Sequence, residues 1–289
     1  MPRPRNVTTE QELEICRRYV SGDSGISLAR EYHVAFSVIR KVLQARHISI
    51  RTVREASNMT AARFARHRTL NEAAFDQPLT EMKAYWIGFL MADGYIRART
   101  HRPYPHHNSS AFIRLKVQIG DASHIESFKK FLNSSTKLIY STHHAINGTL
   151  CSSVGLYVHS DTLVSALQPY GVIPQKTSRA RVNGLQNNPH FWRGVIDGDG
   201  CLSFTRKGFC SLNLSGAQPL LEQFAEFIHE IIPGYLPRVR PTQSIYAVVI
   251  GGQYAYQIIH HLYAGAHVAL PRKLFLARSI LAHQRCLPF

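Results

Sequence analysis

The sequence is short of acid. Only 18 aspartates and glutamates stand against 34 lysines and arginines, a formal net charge of +16. That surplus attracts polyanions, and nucleic acid is the default partner. Cysteine is scarce as well. Cys16, Cys151, Cys201, Cys210 and Cys286 are scattered and none forms a C-x-x-C pair, which argues against a zinc ribbon or a disulfide framework and for a reducing compartment. No apolar run approaches the roughly 18–20 residues of a membrane span, so no membrane partner is expected. The basic start Met1-Pro2-Arg3-Pro4-Arg5 lacks a following apolar region, which argues against a secretory signal. The expectation is a cytoplasmic protein of a bacterial or phage-infected cell, or an organellar one, and not a secreted one.

What is present is enough apolar residue, 45%, for a sizeable core, and a length of 289 residues that calls for more than one domain. The stretch 1–48 reads as three short helices. Thr9 with Glu12 predicts a capping box, and Leu13, Cys16 and Val20 mark an inner face, with Ile15 and Tyr19 beside them. Ser27 is the expected cap of a second helix, Leu28 to Tyr32. A third turns Val38, Ile39, Val42 and Leu43 inward and leaves Ser37, Arg40, Lys41 and Gln44 outside. Helix, short helix, tight turn and basic helix is a helix-turn-helix layout, in which the last helix enters the major groove. Ile26 to Val34 resembles resolvase-like members of that class. Residues 49–76 read as a basic linker, partly helical from Glu55 to Arg66, carrying Arg51, Arg54, Arg63, Arg66 and Arg68 as a phosphate-tracking arm.

The remainder is an internal repeat, with halves at 77–187 and 188–289. Tyr85-Trp86-Ile87-Gly88-Phe89-Leu90-Met91-Ala92-Asp93-Gly94 matches Phe191-Trp192-Arg193-Gly194-Val195-Ile196-Asp197-Gly198-Asp199-Gly200. Val117 to Ala122 is matched with Leu212 to Ala217, and Pro174-Gln175-Lys176 with Pro271-Arg272-Lys273. A His- and Pro-rich insertion, Arg99 to Ser109, predicts a long hairpin loop in the first half.

Each half opens with a helix that is apolar nearly all round and must be buried. Thr80 caps the first; Asn188, with Pro189 behind it, caps the second; Gly94 and Gly200 suit the position just past each end. Gly88 with Ala92, and Gly194 with Gly198, put small residues four apart, so two helix backbones can approach closely. A crossing there brings Asp93 and Asp199 side by side at helix C-termini, where acids oppose the dipole and repel each other. A divalent cation relieves both penalties, since hard cations prefer carboxylate oxygens.

These two segments resemble the paired motifs of LAGLIDADG homing endonucleases, Ala84 to Gly94 being an especially good match. The resemblance covers about residues 77–289. It implies an α+β chain of two αββαββα repeats forming a pseudo-dimeric saddle over DNA, behind a small all-α helix-turn-helix domain like the accessory of some microbial and phage members. It implies that Asp93 and Asp199 bind Mg²⁺, with Mn²⁺ as a substitute, and that Lys176 and Lys273 order the water network at the scissile phosphates. Gln118 and Asn213 are the polar residues expected at strand ends near the site. The preceding acid of the signature is Met91 in one copy and Asp197 in the other, a departure that leaves the metal ligands untouched.

The stretch Ala111 to Ile119 alternates, with Ile113, Leu115, Val117 and Ile119 inward and Arg114, Lys116 and Gln118 outward, as in a half-buried antiparallel strand. Arg97 and Arg99 on the preceding strand, and Ser203, Thr205, Lys207, Ser211, Asn213, Arg238 and Arg240 in the second half, complete two polar faces suited to the major groove. The faces differ, so the DNA site is expected to be long and asymmetric. The pairs His106-His107, His143-His144 and His260-His261 share no ligand spacing and read as surface residues. The functional expectation is a monomeric, free-standing Mg²⁺-dependent endonuclease, encoded within an intron or between genes, that cuts both strands of double-stranded DNA across the minor groove and leaves short 3′ overhangs. The alternative is a non-catalytic DNA- or RNA-binding maturase or regulator on the same scaffold, a class that tends to lose the motif acids.

Overall fold

The computed structural model describes residues 7–53, 55–56, 69–99, 110–144 and 148–283. The chain divides into two compact units, Met1–Arg68 and Thr69–Phe289. The basic stretch 57–68, the hairpin insertion at 100–109, and the residues Arg54, His106, His107 and Cys286 lie outside the described residues. Among those described, no helix is long and apolar enough to cross a membrane.

The first unit packs α1 (Thr9–Val20), α2 (Gly25–Glu31) and α3 (Phe36–Ala45) around Ile15, Cys16, Tyr19, Leu28, Ile39, Val42 and Leu43. Its caps fall earlier than the sequence predicts. Thr8 and Gln11, not Thr9 and Glu12, form the capping box, and Ser24, not Ser27, caps α2 by accepting from the Ser27 amide at 3.0 Å. The inner stripe of α1 also rotates: Leu13 and Val20 are exposed while Ile15 and Tyr19 are buried. Both stripes contain Cys16, so the helix pattern alone allows either; docking of α2 and α3 selects the one through Tyr19. The Tyr19 hydroxyl accepts from the Arg51 amide at 2.9 Å, and the Arg51 guanidinium stacks on its ring. Ser37, Arg40, Lys41 and Gln44 are exposed on α3.

The second unit is built from two α-β-β-α-β-β runs. The first is α4 (Glu81–Ala92), β1 (Gly94–Arg97), β2 (Phe112–Gln118), α5 (Ala122–Phe131), β3 (Ile139–His144) and β4 (Leu150–His159), followed by α6 (Asp161–Leu167). The second is α7 (Pro189–Asp199), β5 (Gly200–Phe204), β6 (Cys210–Gly216), α8 (Gln218–Ile231), β7 (Arg240–Pro241) and β8 (Tyr246–Gly251), followed by α9 (Gly252–Tyr263) and α10 (Pro271–Ala282). Each run makes a four-stranded antiparallel sheet of the same order, β1-β2-β4-β3 and β5-β6-β8-β7. Alternate residues of the central strands turn inward. Ile113, Leu115, Val154 and Leu156 are buried in one sheet, and Leu212, Leu214, Val248 and Ile250 in the other. One hydrophobic core runs through both halves, and α4 and α7 supply residues to it from both.

Strand register corrects the sequence match between the halves. Gly94 pairs with Leu115, and Gly200 with Leu214, so Leu115 corresponds to Leu214 and Gln118 to Ala217. In the following helices, Phe128 packs on Trp86 as Phe224 packs on Trp192, with ring centroids 4.8 and 5.0 Å apart, so Ala122 corresponds to Gln218. Ile119-Gly120-Asp121, a single 3₁₀ turn, is therefore an insert in the first half. Asn213 is the counterpart of Arg114, not of Gln118. Ile119 also leaves the strand: it is exposed rather than inward.

Candidate active site at the paired helix ends

Thr80 caps α4 by accepting from the Lys83 amide at 3.3 Å, and Asn188 caps α7 by accepting from the His190 and Phe191 amides. Both helices are buried along most of their length and cross through glycine. A Cβ on Gly88 would overlap the Phe191 carbonyl oxygen and lie 2.9 Å from its carbonyl carbon; one on Gly194 would lie 2.7 Å from the Phe89 amide nitrogen. A Cβ on Gly198 would overlap that of Ala92 and sit 3.5 Å from Asp93 Oδ2. Gly88, Ala92, Gly194 and Gly198 thus form the crossing, and it carries Asp93 to the end of α7. Gly94 and Gly200 play a different part from the predicted one. Gly200 is extended (φ −86°, ψ 164°) and Gly94 opens β1, so neither serves as a left-handed cap. A side chain there would instead crowd the previous turn, 2.5 Å from the Leu90 carbonyl oxygen or 2.7 Å from that of Ile196.

Asp93 is the C-cap of α4 and Asp199 the last residue of α7. Among the described residues neither carboxylate accepts a hydrogen bond or joins an ion pair. Both residues are exposed to solvent, while neighbouring protein removes part of their hydration. Lost hydration, then the charge of Asp93, pushes Asp199 up to about 6; lost hydration also raises Asp93 against the pull of Lys273, Lys176 and Arg272.

Both lysines lie at the ends of the motif helices. Lys273 Nζ donates to the carbonyls of Ile196, Asp197 and Gly200 at 2.6, 2.8 and 2.6 Å, which uses all its hydrogens. Lys176 Nζ donates to Ala92 and Gly94 at 3.2 and 2.6 Å. Each buried ammonium thus closes the open carbonyls at the C-terminus of one motif helix, where a cation also meets the negative end of the dipole. Burial lowers both lysines while the facing aspartates raise them.

Asp197, the signature acid that lies outside the expected metal ligands, is the buried tie of the site. It accepts from the Tyr85 and Tyr263 hydroxyls at 2.7 Å each and from the Leu270 amide at 2.6 Å, linking α4, α7 and α9. Burial raises its carboxyl, and it is 1% exposed. Tyr85 also meets His124 Nε2 at 2.9 Å; burial, then Arg272, lowers His124 to about 3, so the ring is neutral. Arg193, buried on α7, reaches the carbonyls of Val268 and Leu262 and the Glu81 carboxylate. An Asp and an Arg inside an otherwise apolar helix are the sequence signals of this network.

On the open face of the first sheet, Tyr95, Arg114 and Tyr157 lie side by side across three strands, and the Arg114 guanidinium stands 4.5 Å over the Tyr95 ring. Arg97 lies over Phe112, while Lys116 and Gln118 are exposed toward the end of β2. Arg99 is not on that row. It falls beyond β1 and pairs with Asp161. In the second half Thr205 and Lys207 belong to the β5–β6 turn and not to a strand face. The Ser211 hydroxyl donates to the Ile250 carbonyl, Asn213 Oδ1 is buried without a partner among the described residues, and Arg238 and Arg240 are exposed at the sheet edge. His143, His144, His260 and His261 are exposed.

Among the described residues no group of three or more His, Cys, Asp or Glu side chains could hold a metal ion by itself. Asp93 and Asp199 supply two unpartnered carboxylates, which fits Mg²⁺: it is commonly held by one or two carboxylates and completes its shell with water and substrate phosphate.

No protein-family model and no curated protein matches the chain in sequence. Among solved structures, the homing endonuclease I-WcaI bound to its DNA recognition sequence matches with a TM-score of 0.51 at 12% identity, over 68% of this chain and 88% of that one. The chain shares that fold. I-DmoI in complex with DNA and Ca matches at 0.48 with 16% identity, over 74% of this chain and 100% of that one. The LAGLIDADG meganuclease I-AabMI bound to uncleaved DNA matches at 0.44 with 11% identity, over 70% and 90%. With its antiparallel sheets and paired helices, this chain's mixed α/β fold resembles such nucleases.

Proposed function

We propose that the chain is a LAGLIDADG-type homing endonuclease that binds a long asymmetric double-stranded DNA site as a monomer and hydrolyses one phosphodiester in each strand with Mg²⁺. The observation that carries this reading is the placement of Asp93 and Asp199 at the ends of two glycine-crossed helices, both without a protein partner among the described residues and both costly to ionise there. Divalent ions held by Asp93 and Asp199 would activate water and neutralise charge on the leaving oxygen. Lys176 and Lys273 hold the helix ends rigid and lower the cost of two adjacent anions. Asp197, Tyr85 and Tyr263 fix the angle at which the two helices deliver those anions.

The two sheets act as the halves of a saddle. Arg97, Arg114, Lys116 and Gln118 read one side, Ser211, Asn213, Arg238 and Arg240 the other, while Thr205 and Lys207 reach DNA from a turn. In the N-terminal unit, Arg40, Lys41 and Gln44 of a helix-turn-helix and the basic stretch 49–68 add contacts to flanking DNA. The test is selection of a cleavable site from a randomised plasmid library with protein and Mg²⁺. A unique linearised site supports the nuclease. Tight specific binding with no cleavage in Mg²⁺ or Mn²⁺ overturns it in favour of a non-catalytic binder.

A further inference from the structure

The two ends of the site are not equivalent. The insert Ile119-Gly120-Asp121 exists only in the first half, and it follows β2, the strand whose Leu115 pairs with Gly94 beside Asp93. Its Asp121 side chain is nearly buried and takes Nε of Arg272, from the second half, at 3.2 and 3.0 Å on its two oxygens. The Arg272 side chain remains 59% exposed, and its two terminal amino groups donate to no described protein group. Arg272 adjoins Lys273, whose ammonium is spent on the end of α7. The residue matched to it in the first half is Gln175, uncharged, and the second half has Ala217, not an acid, after its equivalent strand.

An arginine anchored through Nε presents a planar fork of two NH₂ groups, the geometry that grips a phosphate. It stands on one side only.

We propose that Arg272, aimed by Asp121, grips the DNA phosphate at the Asp93 end of the site alone, so the two strands are cut at unequal rates. Arg272 touches the substrate; Asp121 is a positioning residue. The inference rests on the nuclease reading, and its test separates the two.

A duplex carrying the selected site, labelled differently on each strand, is cut in Mg²⁺ by the full chain and by Arg272→Gln, Asp121→Asn and Gln175→Arg variants. Binding is titrated with salt in Ca²⁺. Arg272→Gln should slow one strand about 10²-fold, leave the other within about twofold, and lower the salt slope of binding by about one. Asp121→Asn should slow the same strand less and keep the salt slope, since the cation remains. Gln175→Arg, at an exposed position, should narrow the difference between strands. Equal slowing of both strands by Arg272→Gln, or an unchanged salt slope, overturns the inference. Should Arg272→Gln fail to fold, no change of strand ratio in either other variant overturns it. Should the unmodified chain bind but cut neither strand, the nuclease reading fails, and the salt slope still decides whether Arg272 meets a phosphate.

Discussion

Gly88 and Gly194 are reciprocal: each leaves the space that the other helix's backbone fills, Gly88 against Phe191 and Val195, Gly194 against Tyr85 and Phe89. Because the obstacle is backbone on both sides, no rotamer change relieves it. Gly88→Ala or Gly194→Ala should destabilise by at least about 1–3 kcal/mol, and the leucine variants should not fold. Thermal melts of the purified variants check this. An alanine variant melting with the unmodified protein would mean the helices do not meet there.

Asp93→Asn and Asp199→Asn should each lower double-strand cleavage about 10²-fold or more while specific binding in Ca²⁺ changes little. The carboxylates serve the reacting phosphates, whereas readout lies on the sheets. Gel-shift and plasmid cleavage assays on the selected site separate the two. Cleavage at the full rate by either variant would remove that aspartate from the chemistry.

Asp199 gives a pH signature without metal. Its carboxyl is raised from 3.8 to about 6, so between those values the unfolded chain has released a proton that the folded chain keeps. Stability from this group is full below about pH 4, falls as pH rises through 6, and stays low above it. In EDTA at pH 8, Asp199→Asn should therefore melt above the unmodified protein, and the gap should close as pH falls toward 4. Adding Mg²⁺ should raise the melting temperature of the unmodified protein more than that of the variant. A pH-independent gap would mean that Asp199 is not perturbed by its surroundings.

Lys273→Met should cost stability as well as activity. The variant leaves the carbonyls of Ile196, Asp197 and Gly200 short of a donor at a buried helix end, a loss of about 3 kcal/mol. Urea denaturation measures it. An inactive variant of unchanged stability would mean that the ammonium serves water rather than backbone.

Removing residues 1–68 should weaken binding without moving the cut. Ala74 and Phe75 are buried in the core of the second unit, so the truncation has to stop before them. A footprint should shorten from one end only, and the salt slope should drop by about one for each phosphate that the truncated chain no longer neutralises. Unchanged affinity and slope would show that the N-terminal unit reads no DNA.

Elements that depend on local pattern are legible in the chain alone. A helix apolar on all sides must be buried, Thr80 and Asn188 cap where short polar side chains can accept from free amides, and two Gly-x-x-x-small stripes ending in Asp predict a crossing with paired acids. Whatever depends on which neighbour arrives needs the packed molecule. Leu13 and Val20 follow the same helical period as Ile15 and Tyr19, and only docking of α2 and α3 chooses between the stripes. As strings, the segments around Gln118 and Asn213 align; hydrogen-bond register moves that match, because an insert of one turn is invisible where both copies are short and apolar. Lys176 and Lys273 are legible as residues near the acids; that their ammoniums face carbonyls rather than solvent follows from the helix ends folding beneath them. Asp121 and Arg272 lie 151 positions apart, beyond the reach of any local pattern, and only the packing of one half against the other makes them a pair.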